Sequence, residues 1–168
     1  NQIADIEEIT VSAWVNQSSD GDPVGVTRTI YTSPTCTNYD DCGFDFKTGN
    51  DGFVFAVRHD TDLEFTENSG SHAYVDNDHF ITDQWNFLVG TLNADSIKAY
   101  VNGELVVSEI ANGEGIDFGD RTIYISNPNY HPFKGFLNDI KIFDYALSAE
   151  EIMNLYNNQI ITNNGLLL

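Results

Sequence analysis

Residues Phe133–Asn158 read FKGFLNDIKIFDYALSAEEIMNLYNN, and two periodicities meet in them. From Leu137 to Tyr145 apolar and polar residues alternate, and Ile and Phe are frequent, which is the pattern of a β-strand. After Leu147 the pattern changes. Ser148 is placed to cap a helix, Glu151 follows three residues on, and Leu147 and Ile152 flank the cap. That is a capping box with a hydrophobic staple. Inside the helix, expected over Ser148 to Asn157, Ile152, Leu155 and Tyr156 fall at i, i+3 and i+4. One apolar stripe must therefore lie against another surface.

Working outward from this stretch, the chain reads as short strands separated by turns. In ITVSAWV, Ile9, Val11, Ala13 and Val15 alternate with Thr10, Ser12 and Trp14. CGFDFKTGNDGFVFAVRHD holds two strands, Phe44 to Lys47 and Phe53 to Arg58, joined by a turn rich in Gly, Asn and Asp. Trp85 to Leu92 and Ser96 to Val101 meet across NADS, and the next turn falls on Asn102-Gly103, the strongest short hairpin signal. Arg121 to Ser126 adds another strand. About ten short strands and one helix predict an all-β, two-sheet antiparallel jelly-roll sandwich with a short C-terminal helix.

A length of 168 residues suits one domain over 1–168, since domains usually run to roughly 100–200 residues. The apolar share of 41 %, with 11 Phe, 8 Tyr and 2 Trp, is enough for a true core. Against 26 Asp and Glu stand 7 Lys and Arg, a formal charge of −19. Such a field repels phosphate backbones and anionic lipid and favours cations, so nucleic acid and membrane surfaces are poor partners. No stretch approaches the ~20 apolar residues of a membrane helix. Asn1 opens the sequence without a signal peptide, so the chain is read as a domain cut from a longer surface or secreted protein. Cys36 and Cys42, in CTNYDDC, are the two cysteines. They permit a small disulfide-closed loop, and a zinc site would need two further ligands close by. The disulfide is the favoured reading, and it points outside the cytosol. Asn16 opens an Asn-Gln-Ser glycosylation sequon.

Three segments carry a family resemblance: ITVSAWV, then QWNFLVGTLNADSIKAYVNGELV, then FKGFLNDIKIFDYALSAEEIMNLY. In order and spacing they resemble the laminin-G-like, concanavalin-A-like jelly rolls. The resemblance implies two large curved antiparallel sheets of roughly six or seven strands each. It also implies that the helix packs over one edge of the sandwich, covering a sheet end. In such domains a strand usually precedes the SAW segment, where this chain has NQIADIEE. The tail QIITNNGLLL, or a neighbouring domain or subunit, is expected to complete that edge.

Similar folds include glycoside hydrolases, whose chemistry leaves a recognisable pattern. Retaining hydrolysis needs two carboxyl groups about 5 Å apart. The family's hydrolases carry a Glu-x-Asp-x-(x)-Glu run, and this sequence has none. Asp60, Asp62 and Glu64 share a face, but Leu63 and Phe65 point the other way, as on an ordinary strand with a solvated side. No G-x-S-x-G, H-E-x-x-H or P-loop is present. His59, His72, His79 and His131 are scattered without a spacing that pairs them. The sequence argues against an enzyme.

Cation and glycan binding fit better. Hard cations take about six to eight oxygen ligands, usually from loops. Four clusters qualify by composition: Asp20 and Asp22; Asn38, Asp40 and Asp41; Asp76, Asn77 and Asp78; Asn127 and Asn129. None matches the calcium-loop pattern of the helix–loop–helix type, and each is equally explained as a turn whose side chains bond their own backbone. The resemblance selects among them. It implies a calcium site pairing Asp40 or Asp41 with Asn127 or Asn129 on rim loops, the Cys36–Cys42 closure holding the first loop. It also implies a convex-side calcium at Asp139, with Asp5 or Glu7 as partner, although Asp139 equally suits an edge-strand charge. Tyr39 and Tyr130 lie in the same rim loops and are placed to stack on sugar rings. Packing is expected for Tyr74, and core positions for Trp14 and Trp85. Together these give a non-catalytic extracellular lectin or adhesion module, calcium-dependent, recognising a glycan or glycoprotein. The alternatives are a structural subunit or spacer of a surface filament, or the glycan-binding module of a polysaccharide-degrading enzyme.

Overall fold

The computed structural model describes residues 7–20, 26–32, 44–49, 52–57, 70–111, 123–126 and 132–157. Ten strands run through them: β1 (Ile9–Gln17), β2 (Val26–Thr32), β3 (Phe44–Gly49), β4 (Gly52–Val57), β5 (Ser71–Val75), β6 (Asn86–Leu92), β7 (Ser96–Val101), β8 (Glu104–Ile110), β9 (Ile123–Ile125) and β10 (Gly135–Phe143). One helix, α1 (Ala149–Tyr156), follows. The first sheet has the order β10-β1-β6-β7-β8 and the second β5-β4-β3-β2-β9. Every pairing is antiparallel. The described part thus has five strands per sheet, where the resemblance implied six or seven.

Alternation builds the core. Ile9, Val11, Ala13 and Val15 on β1 are fully buried, and with Leu88, Leu92, Ile97 and Ile142 they form the inner face of the first sheet. Ile30, Phe44, Phe46, Phe53, Phe55 and Val57 meet them from the second sheet. Gly90 is a packing residue: a Cβ there would stand 2.1 Å from the Phe55 ring, so only hydrogen lets that ring lie on β6. The expected hairpin forms, with Asn102 at φ 52 and Gly103 at φ 87 between β7 and β8, the left-handed pair that a tight two-residue turn needs.

The opening stretch folds as its chemistry requires. Ser148 Oγ accepts from Glu151 N at 3.3 Å, and Ser148 N donates to Glu151 Oε2 at 2.8 Å. Ile152 and Leu155 are the buried helical residues. Their position differs from the expected one. The helix lies on the outer face of the first sheet, not over an edge of the sandwich, and forms a second core with Phe87, Val89, Tyr100, Phe143 and Leu147. The physical reason is that β6 is buried on both faces along its whole length; a strand of that kind needs a cover on each side. Trp14 belongs to this outer layer, tilted against Phe87 at 5.3 Å and stacked on Tyr156 at 5.7 Å. Thr10 clamps the connection: its Oγ1 donates to Tyr145 O at 2.8 Å and accepts from Leu147 N at 2.9 Å.

Candidate functional site

Of the residues singled out in the sequence, Cys36, Tyr39, Asp40, Asp41, Cys42, Asn127, Asn129 and Tyr130 lie outside the described residues, as do Asp5, Asp22, Asn38, Asp60, Asp62 and Glu64. Asp139 is described. It sits on β10 where the register with β1 shifts between Ser12 and Trp14, with φ 51, and its carboxylate pairs with Lys141 Nζ. A bulge with charges on an edge strand blocks edge-to-edge pairing, and a cation at Asp139 has Lys141 as its competitor. Among the described residues no three His, Cys, Asp or Glu side chains gather as metal ligands.

Two further acidic clusters are turns. Asp76 Oδ1 accepts from Asp78 N at 3.1 Å and contacts His79 Nδ1 at 2.8 Å. The His79 hydrogen bond holds the Asp76 carboxyl below its ordinary pKa. Asp83, at φ 59, accepts from Ser19 N at 3.1 Å, and hydrogen bonding to the Ser19 side chain, then to its backbone, lowers the Asp83 pKa. Asp20 N donates to Ser18 Oγ at 3.3 Å. Asp76 bonds the backbone two residues on, the ordinary use of such a side chain in a turn, while Asp83 ties the turn before β6 to the one after β1.

The outer face of the second sheet has a different make-up. In register, His72 on β5 lies beside Ala56 on β4, Ala56 beside Asp45 on β3, Asp45 beside Tyr31 on β2, and Tyr31 beside Tyr124 on β9. One step along, Tyr74 lies beside Val54, and Val54 beside Lys47. With strands about 4.8 Å apart, the row from β5 to β9 spans about 19 Å. Lys47 Nζ and Asp45 Oδ2 pair at 2.9 Å, their side chains 21 % and 11 % exposed. Ala56 and Val54, between these neighbours, are buried. Beside them the rings of His72 and Tyr74 stack at 5.7 Å, 14° from parallel. Tyr74 is 61 % exposed and Tyr124 43 %. Such a surface offers a flat aromatic ring to the apolar C–H face of a pyranose. Beside the ring it sets an ammonium that donates and a carboxylate that accepts hydrogen bonds from hydroxyls.

Two expectations are corrected here. Tyr74 does not pack into the protein, because in SHAYV its neighbours Ala73 and Val75 take the inner face. Trp85 is not a core residue; it precedes β6 and is 46 % exposed. The signal for Tyr74 was the period-2 alternation itself, and for Tyr124 its place between Ile123 and Ile125.

The architecture is shared with solved structures. A Bacteroides ovatus protein described as a candidate carbohydrate-binding protein superposes with a TM-score of 0.72 at 14 % identity, over 100 % of this chain and 46 % of that one. The ligand-binding domain of botulinum neurotoxin serotype D, solved with N-acetylneuraminic acid, gives 0.70 at 19 % identity, over 97 % and 39 %. The receptor-binding domain of the mosaic serotype C/D toxin, with tetraethylene glycol on its Hcn sub-domain, gives 0.67 at 22 % identity, over 94 % and 38 %. The chain therefore spans less than half of each, and at these identities the likeness is one of fold. No curated protein sequence matches the chain. Residues 1–153 match the model of the Laminin_G_3 family, of the concanavalin A-like lectin/glucanases superfamily, and the chain belongs to that family.

Proposed function

We propose that the chain is a non-catalytic glycan-binding module of an exported protein, and that the outer face of the second sheet holds the sugar. The observation that carries this reading is the exposed Tyr74 ring, braced by His72 and set beside the recessed Asp45–Lys47 pair. The family's lectin members and the sugar-associated structural neighbours support it. Among the described residues no helix is long and apolar enough to cross a membrane. Calcium enters the proposal at the rim, through Asp40 or Asp41 with Asn127 or Asn129. The Cys36–Cys42 disulfide closes the loop, and Tyr39 and Tyr130 flank the ion. The convex-side ion at Asp139 belongs to the same proposal and requires that Lys141 give way.

A glycan array, run with calcium and again with chelator, tests both parts. Wild-type protein is expected to bind, and Tyr74→Ala to lose about tenfold in affinity, equivalent to about 1.4 kcal/mol. Unchanged binding in a Tyr74→Ala, Lys47→Met double variant removes the site from this face. Binding that survives chelation removes calcium from recognition. A melting temperature raised by calcium but not by magnesium at equal ionic strength would retain the ion as a structural one.

A further inference from the structure

We propose a second glycan-binding platform on the opposite side of the sandwich, formed by Trp85, Asn16 and Phe136 and suited to uncharged sugars. It uses residues separate from the second-sheet site, though it shares the reading that the chain binds glycans.

The helix covers only part of the first sheet's outer face. Its last turn meets Trp14, which clusters with Phe87 and Tyr156. Two residues further along β1, Asn16 points to the same face, and Phe136 on β10 stands directly opposite it. On the other side of β1, the pairing with β6 ends at Val15 and Asn86, and Trp85 directly precedes Asn86, continuing that row next to Asn16. Phe136 is 70 % exposed and Trp85 46 %. Single exposed apolar side chains are normal; here two large rings flank one amide. Asn138, opposite Trp14 and exposed, adds a second amide.

The backbone under the rings is fixed. Gly135 has φ 146, and a Cβ there would meet Asn16 O at 2.1 Å. Ser18 N donates to Lys134 O at 2.9 Å and Asp83 N to Gln17 O at 2.7 Å. Asn86 Nδ2 donates to Ile81 O at 2.8 Å and to Gln84 O at 3.0 Å, tying down the turn that carries Trp85. A platform that is already ordered loses little entropy when a ligand arrives.

Size and charge decide the occupant. Aromatic side chains present roughly 150–250 Å² each, so the exposed fractions leave roughly 200–250 Å² of ring surface. A stable protein partner needs roughly 800 Å² on each side, and a second copy would bring another −19 to the contact. The rings and amides suit a short run of pyranoses, apolar on one face and ringed by hydroxyls. The amides donate and accept without formal charge, which matches neutral hydroxyls and not sialic or uronic carboxylates. With a site on each outer face, one chain can bridge two polysaccharide strands, and avidity follows.

The test uses protein made without N-glycosylation, since Asn16 opens the sequon. Affinity electrophoresis through gels containing soluble β-glucan, mannan or arabinogalactan compares wild type, Tyr74→Ala, Phe136→Ala and Trp85→Ala/Phe136→Ala. Matching melting temperatures serve as the folding control. Wild type is expected to be retarded by one of these polymers and to cross-link it into a precipitate. Phe136→Ala should lose severalfold in affinity and the double variant about tenfold or more, and each face's variants should abolish the precipitate. Retardation lost in Tyr74→Ala but unchanged in the double variant overturns the platform and leaves the second-sheet site standing. The reverse pattern supports the platform and overturns the other site. If no neutral polymer retards the wild type while the array shows Tyr74-dependent binding, the platform alone fails. A wild-type dimer in sedimentation that the double variant dissociates identifies a protein interface and also overturns it.

Discussion

The two outer faces of the sandwich are built from the same alternation and differ in the side chains it brings outward. On the first sheet the outward residues Trp14, Phe87, Val89, Tyr100 and Phe143 are covered by Leu147, Ile152 and Leu155 and close a second core. On the second sheet the outward residues are Asp45, Lys47, His72 and Tyr74, with Ala56 and Val54 between them, and Tyr74 is left in water. An apolar outer face has to be covered, and the capped helix is the cover. On the second sheet Val54 and Ala56 are themselves buried, so water and ligand reach that face at the exposed Tyr74 ring and beside the partly exposed His72 and Lys47. The helix itself sets the boundary. Eight residues at about 1.5 Å each reach about 12 Å, and its last turn meets Trp14 through Tyr156, while Trp85 and Phe136 stay exposed.

The largest expected effect tests the covered side. Ile152 is fully buried, and Ile152→Ala should cost about 2–5 kcal/mol. Phe136→Ala, on the same face but uncovered, should stay within about 0.5 kcal/mol. Urea unfolding of both variants reads the contrast, and equal losses would erase the distinction between covered and bare halves. Next comes the second sheet. Lys47→Met leaves the Asp45 carboxylate recessed without its ammonium, and a hydrogen bond to a charged group is worth about 1.5–3 kcal/mol. A loss below a few tenths would mean that water fully replaces the pair, and that the face is flatter than its low exposures indicate.

The cap is a smaller contribution. Ser148→Ala removes an acceptor from Glu151 N and should cost about 0.5–2 kcal/mol. Ser148→Gly should recover most of that. No loss in either would detach the helix from the stability of the face it covers.

The helix was legible because its cap, staple and stripe are local signals, each confined to a few residues. The strand periods were legible for the same reason, and β1, β4 and the Asn102-Gly103 hairpin fell where the sequence placed them. What the sequence did not carry was the side of each sheet that receives a cover. Trp14 and Trp85 look alike in sequence, both aromatic beside apolar runs. Only the tertiary position of Tyr156 buries one and leaves the other. Tyr74 escapes a reading that takes this segment as a loop and expects its ring to pack, although SHAYV already puts it opposite Ala73 and Val75. The ion pair at Asp45 and Lys47 is two residues apart on one strand, a spacing that shares a face, but how deeply it is recessed is set by tertiary packing that the spacing does not carry.

The smallest expected effect lies in the turn that follows β5 and so borders the Tyr74 face. The hydrogen bond from His79 lowers the Asp76 pKa below its ordinary value of 3.8. A carboxyl whose folded pKa is depressed adds stability above its unfolded pKa and loses that stability as pH falls through the folded value. The window is therefore acid, starting just under 3.8. Asp76 is fully exposed, so solvent and salt screen the interaction and the contribution is slight. Urea midpoints for wild type and Asp76→Asn, followed from about pH 5 to about pH 2, should differ at the upper end and converge at the lower. Added salt should shrink the difference. A gap that widens toward low pH, or that ignores salt, would mean the turn is held by its backbone bonds alone. The rim beside Tyr74 would then be rigid irrespective of charge, and acid would leave glycan binding on that face unaltered.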